Sequence, residues 1–284
     1  MNIGIRLHDT APGTLSQRLG FARAQGFSCV HLALSKVLPD FKMADAPQKL
    51  DETLAAQVRG DLEDSGMGCA VLGCYLSLTC RDEEELRRTQ EIYRAHLRFS
   101  RMIGAGVVGT ETPVAASAKM SPREVASDEA FKLFIRCAEP VVRCAEEEGA
   151  ILAIEPVCSY VVSTAERAEQ ALEALKSDNV RIILDPVNLL YSDMVDRAEA
   201  VFGDAVCRLG DRVSVVHMKD FVRAPEEPRP RFIASGEGEM YYGAVLDLAK
   251  RQNIPITLEN TKPESAEAAR QFLERVAAGT EAAR

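Results

Sequence analysis

The sequence predicts an α/β fold, a (β/α)8 TIM barrel formed as a single domain over residues 1–284. Three observations predict it. Eight short apolar runs alternate with longer segments whose apolar residues recur at steps of three and four, the spacing of an amphipathic helix. Glycine closes helical segments just before the next run, in "AQG", "DSGM", "IGAG" and "EEEG", where a helix C-terminus favours a left-handed residue. The length of 284 residues also suits one barrel, which needs about 250. An open doubly wound sheet is the competing fold, but neither GxGxxG nor GxxxxGK[ST] follows the first run.

The elements follow in order. Ile3–Leu7 precedes the helical pattern "TLSQRLGFARAQGF", and Cys29–Leu34 precedes "LDETLAAQVRGDLEDSGM". Cys69–Cys74 leads into "EELRRTQEIYRAHLRFSRMIGAG", and Gly106–Gly109 into "DEAFKLFIRCAEPVVRCAEEEGA". The remaining strands are Ile151–Ile154, Arg181–Leu184, Val213–Val216 and Ile254–Leu258. Several are almost continuously apolar, which suits parallel strands covered by helices. Ser121–Glu124, Ser163–Glu166 and Thr261–Glu264 each resemble a capping box, in which hydroxyl and glutamate satisfy two orphan amides reciprocally. The Pro-rich stretch "RAPEEPRPRF" (223–232) reads as a long loop over the barrel mouth, not a linker.

Composition narrows the function. With 46% hydrophobic residues the chain can build a large core, so neither disulfides nor a metal are needed merely to fold. A net charge of −9 repels phosphate backbones and anionic surfaces, which argues against nucleic-acid binding. The start, "MNIGIRLHDT", lacks a basic region followed by an apolar one, and no apolar run reaches the roughly 18 residues of a membrane helix. A cytoplasmic protein without membrane attachment is expected. The eight cysteines are scattered without a CxxC pair and read as reduced, small apolar residues rather than zinc ligands.

In such a barrel, chemistry sits at the carboxyl ends of the strands. Glu155 follows "ILAI", Asp185 follows "RIIL", His217 follows "VSVV" and Glu259 follows "IPITL". Four consecutive strands thus deliver a carboxylate or an imidazole at one relative position. Three carboxylates converging without a partner would repel one another, and a divalent cation removes that conflict. Three oxygens and one imidazole suit Mn²⁺ first, with Mg²⁺, Co²⁺ or Zn²⁺ as alternatives. Against this stands the reading of Asp185 as a helix cap and of both glutamates as salt-bridge partners. His8 and Glu111 also end strands and are candidate substrate contacts, and Lys219 and Asp220 enter the mouth loop beside His217.

"ILAIEP", "IILDPVNL", "VVHMKD", "SGEGEMYYGAVLDLAKR" and "ITLEN" resemble the xylose-isomerase-like barrel superfamily of sugar (phosphate) isomerases and epimerases. The likeness is greatest to ketose 3-epimerases of the tagatose/psicose type. The resemblance implies one divalent metal held by Glu155, Asp185, His217 and Glu259, with Glu155 and Glu259 also transferring the proton. It further implies that an arginine six residues beyond the metal histidine grips substrate, the position of Arg223. Two positions depart from the pattern: Asn188 stands where those epimerases carry a histidine, and His31 where relatives often carry a glutamate. Both bear on the substrate rather than the metal.

The expected function is therefore a metal-dependent sugar or sugar-phosphate isomerase or epimerase working through an enediolate. Its partner is a small sugar or polyol ketone, and the assembly to test is a homodimer or homotetramer. A dehydratase of an inosose-like ketone on the same site is the alternative. An apurinic-site endonuclease is disfavoured by four histidines and an acidic chain, and a sugar-binding barrel without catalysis remains as a non-enzymatic reading. Phosphate recognition is not readable in the sequence, which has no compact Gly-rich anion nest, and Lys219 and Arg223 are the cations near the mouth that an anion could meet.

Overall fold

The computed structural model describes residues 1–112 and 120–282. Eight parallel strands close into a barrel: β1 (Ile3–Arg6), β2 (Cys29–Leu32), β3 (Gly68–Gly73), β4 (Val107–Glu111), β5 (Leu152–Glu155), β6 (Val180–Leu184), β7 (Val213–Met218) and β10 (Ile256–Leu258). β10 pairs with both β1 and β7, which completes the ring. The other two strands, β8 (Asp220–Val222) and β9 (Arg231–Ile233), form a separate antiparallel pair after β7. One main helix follows each barrel strand, from Leu15–Ala24 after β1 to Ala266–Ala277 after β10.

Alternation along the strands divides the core in two. Leu152, Ile154, Ile182, Leu184 and Val216 pack outward against the helices. Cys29, Val71, Val107, Ala153, Ile183 and Val215 form a second cluster inside the barrel. The residue two places beyond an inward position points inward again, one layer nearer the carboxyl end. That layer holds the candidate site.

Two glycines make room in it. A Cβ on Gly73 would meet the Tyr75 ring at 2.8 Å and His31 Nε2 at 2.9 Å. A Cβ on Gly109 would meet Ile183 and Val71 at 2.9 Å and the Tyr75 hydroxyl at 3.0 Å. With no side chain on β3 or β4 at this level, a tyrosine ring occupies the space.

Gly26, Gly66, Gly104 and Gly149 close their helices with positive φ, as the sequence pattern requires. The Ser121–Glu124 capping box is formed. The other two are not. Thr164 rather than Ser163 caps its helix, accepting from the Arg167 amide, and the final helix begins after Ser265, beyond Thr261–Glu264. A box at Thr14–Gln17 goes unnoticed in the sequence because its partner is glutamine. The stretch 223–232 is not a plain loop, because its end pairs with residues 220–222 to make the hairpin.

The hairpin hangs on one buried carboxylate. Asp220 accepts hydrogen bonds from the amides of Phe221, Gly236, Gly238 and Met240 and from the Tyr242 hydroxyl, at 2.7–3.1 Å. Gly238 lies so close that a Cβ there would stand 2.2 Å from the Phe221 carbonyl oxygen. Asp220 therefore fastens the segment beyond β7 rather than meeting substrate. Asp220→Ala strands several buried donors and is expected to cost on the order of 3–5 kcal/mol in urea unfolding, whereas Tyr242→Phe, which removes one bond, costs about 1 kcal/mol.

Candidate active site

The interior positions Ala153, Ile183, Val215 and Thr257 lie two residues before Glu155, Asp185, His217 and Glu259. Side-chain alternation therefore lifts all four functional groups onto one inner rim. Pairing fixes their level: Leu184 lies beside Val216, and Leu258 beside Met218. All four side chains are buried.

The structure brings the quartet together. His217 Nδ1 lies 3.2 Å from Glu155 Oε2 and 3.3 Å from Glu259 Oε1. Glu155, Asp185 and His217 present ligand atoms within 4.8 Å of one another, and so do His31, His217 and Glu259. Both His217 nitrogens are buried without a well-directed hydrogen bond, although buried polar atoms of this kind are normally satisfied, and Asp185 Oδ2 has the Lys219 ammonium as its partner. The unsatisfied His217 nitrogens fit a divalent cation held by Glu155, Asp185, His217 and Glu259.

Lys219 and Asn188 tie the rim together. Lys219 Nζ stands 2.7 Å from Asp185 Oδ2, 3.4 Å from Glu259 Oε2 and 2.9 Å from Asn188 Oδ1. Asn188 Nδ2 donates to Glu155 Oε1 at 2.7 Å, and its amide donates to Asp185 Oδ1 at 3.1 Å. Three carboxylates, one ammonium and one divalent ion sum to zero charge. Burial raises the Asp185 carboxyl, and Lys219 only partly draws it back. For Glu259 the balance reverses: burial raises it, but His217, Lys219 and Arg6 hold it well below the carboxylate range.

The rim forms one end of a cavity of about 530 Å³. His8, His31, Glu111, Glu155, Asn188, Lys219 and Glu259 all reach its wall. Burial, then the Arg6 charge, lowers His8 to about 4. His31 is kept neutral by burial and by neighbouring His217, on whose ring it stacks at 5.0 Å. Tyr75 hydrogen-bonds His31 Nε2 at 3.2 Å. Glu111 is raised to about 7, first by burial and then by the charges of Glu155 and Glu259.

Arg223 requires a correction. It is half-exposed and pairs with Asp196 and Glu239 on the outer face of the hairpin, so it does not reach the cavity. The hairpin turns the chain, and a count of six residues from His217 leads outward. Arg229, from the same stretch, lines the cavity instead. Sequence reasoning also missed Arg6, Tyr75, Tyr160 and Phe232 on the wall. Arg6 alone carried a signal, since it lies two places before His8 on an inward-facing series.

Comparison with known proteins agrees with this architecture. The family described as xylose isomerase-like TIM barrel matches residues 19–276. The chain belongs to that family. No curated protein matches the sequence. Among solved structures, D-psicose 3-epimerase of Clostridium cellulolyticum H10 with D-tagatose superposes with a TM-score of 0.75 at 14% identity, covering 98% of this chain and 99% of the other. The probable 3-DHS dehydratase AsbF of Bacillus anthracis gives 0.74 at 13% identity, over 97% and 98%. The IOLI protein with a binding zinc atom gives 0.68 at 17% identity, over 99% and 98%. At these identities the structural likeness shows the fold. Among the described residues, no helix is long and apolar enough to cross a membrane.

For this xylose isomerase-like barrel the electrostatics would govern how a divalent cation enters the rim. Burial alone would lower the His217 pKa, but Glu155 and Glu259 raise it to about 9. Below that pH an incoming cation must displace the proton, so affinity climbs with pH, by about tenfold per unit, and levels off above about 9. Calorimetric titration of Mn²⁺ at pH 7 in buffers of different ionisation enthalpy is expected to show close to one proton released per ion. Zero release would remove His217 from the ligand set.

Proposed function

We propose that this protein is a divalent-metal-dependent isomerase or epimerase of a sugar or polyol ketone, with Glu155 and Glu259 transferring the proton. The observation that carries the reading is the placement of those two carboxylates. Both touch His217 Nδ1, at 3.2 and 3.3 Å, and both reach the cavity wall. They arise from β5 and β10, with β6 and β7 between them, so they approach a molecule in the cavity from different directions.

A divalent ion held by Glu155, Asp185, His217 and Glu259 would supply positive charge that polarises a ketone and acidifies the neighbouring C–H. One glutamate then removes that proton, and the other returns it. Return to the opposite face of the same carbon yields an epimer, and return to the adjacent carbon yields the aldose–ketose isomer. Asn188 orients Glu155 through its amide nitrogen. Lys219 holds Glu259 and Asp185 and adds a fixed cation where oxyanion charge develops.

Loss of water from the same enediolate is the second reading, and Glu111 favours it. A carboxyl raised to about 7 on the cavity wall is partly protonated at neutral pH and can protonate a departing hydroxyl. Tyr160 hydrogen-bonds it and is itself raised to about 12, chiefly by burial and by the Glu111 charge, so it stays a donor.

Deuterium wash-in across ketoses, sugar phosphates and inososes detects the step both readings share. Glu155→Gln and Glu259→Gln are each expected to lower it by about 10²–10⁴-fold, with bound metal measured in the same samples. Undiminished exchange in both variants would sink the assignment. Glu111→Gln separates the two outcomes: under the dehydratase reading wash-in survives while water loss stops, and under the epimerase reading product formation is retained.

A further inference from the structure

The three arginines of the hairpin have different fates. Arg223 is engaged by Asp196 and Glu239, and Arg231 by Glu227. Arg229 turns inward to the cavity and has no carboxylate partner among the described residues. Its Nη2 donates only to Asn188, to Oδ1 at 2.9 Å and to the carbonyl oxygen at 3.4 Å. Its Nε–H is buried and finds no acceptor.

Arg229 is also held in place. Its guanidinium lies over the Phe232 ring at 4.6 Å, and prolines flank it at 228 and 230. The Pro228 carbonyl oxygen accepts from the Ser192 amide at 3.1 Å, which pins the turn to the segment after β6. A rigid, half-buried guanidinium with a spare donor is ready for an acceptor that arrives from outside.

Charge decides what kind. Lys219 is answered by Asp185 and Glu259, and Arg6 by Asp9 and Glu259. The remaining charge of the three rim carboxylates is what a divalent ion offsets. Glu111, the other acid on the wall, is partly protonated at neutral pH and hydrogen-bonded to Tyr160, and no carboxylate among the described residues pairs with Arg229 or with the exposed Lys36. A neutral ketose would leave both unmatched.

We propose that Arg229 receives an anionic group of the substrate, a carboxylate or a phosphate, so that the substrate is an acidic sugar derivative rather than a neutral ketose. The planar fork of a guanidinium matches either group. The sugar-like skeleton rests on the isomerase or epimerase reading, whereas the anion site rests on Arg229 itself.

The test is calorimetric binding of D-fructose, D-fructose 6-phosphate and 2-keto-D-gluconate to the Mn²⁺-loaded protein at low salt. At least one anionic probe is expected to bind about tenfold or more tightly than fructose, as a charge-assisted hydrogen bond implies. Arg229→Met should erase that margin while fructose affinity and bound Mn²⁺ stay within about twofold, and Arg229→Lys should restore part of it. Arg223→Met should keep the whole margin. Preference for fructose 6-phosphate identifies a phosphate site, and preference for 2-keto-D-gluconate a carboxylate site. Equal binding of all three probes to the unaltered protein, failure of both anions to bind, or a margin that survives Arg229→Met overturns the proposal. Wash-in is read separately. Exchange without an Arg229-dependent margin overturns the anion site and leaves the isomerase reading standing; a margin without exchange does the reverse.

Discussion

Three carboxylates buried on one rim are the constraint on which the rest of the site depends. Glu155, Asp185 and Glu259 each stand at the end of a parallel strand, on the interior side, where water is scarce. Bare, they would take up protons or push the strands apart. Lys219 answers part of the charge and His217 another part, which is why burial and attraction pull in opposite directions at Asp185, His217, Lys219 and Glu259. The His217 nitrogens remain without a well-directed hydrogen bond, and a divalent cation would fit there. The polar rim is costly to assemble, and the apolar cluster below it fills the barrel with Val71, Val107, Ile183 and Val215.

Lys219 can serve there only because the chain leaves β7 in a fixed direction. Asp220 collects five hydrogen bonds and locks the hairpin immediately after the lysine. The hairpin in turn brings Phe232 under both cations, with Lys219 Nζ and Arg229 each 4.6 Å from its ring. Asn188 is shared in the same way, since its Oδ1 accepts from both at 2.9 Å. The rim and the outer wall thus share Asn188, which meets Lys219 on one side and Arg229 on the other.

The barrel and its quartet were legible in the sequence because both follow from local rules. Strand periodicity, glycine at helix ends and the residue after each apolar run are visible in a window of a few positions, and they placed Glu155, Asp185, His217 and Glu259 correctly on one rim. The hairpin was not legible in this way. Three-residue strands leave too short a pattern to read, and the pairing of 220–222 with 231–233 depends on a carboxylate meeting amides up to 20 residues away. Arg223 and Arg229 have the same chemistry in the sequence. Only the turn of the chain between them sends one outward to Asp196 and the other inward to Asn188.

Where this chain departs from the epimerase pattern, the structure gives the departures one logic. Asn188 and His31 both contact the quartet: Asn188 holds Glu155 directly, and His31 stacks on His217 with Tyr75 behind it. Neither carries charge, because an amide cannot and because burial keeps His31 neutral. Neutral groups at those two positions orient the quartet without adding charge to the rim, while on the wall Arg229 and Lys36 have no salt-bridge partner among the described residues. The division is physically sensible. A cation added at the rim would compete with Lys219 and His217 for the same three carboxylates, whereas a cation on the wall stands clear of them.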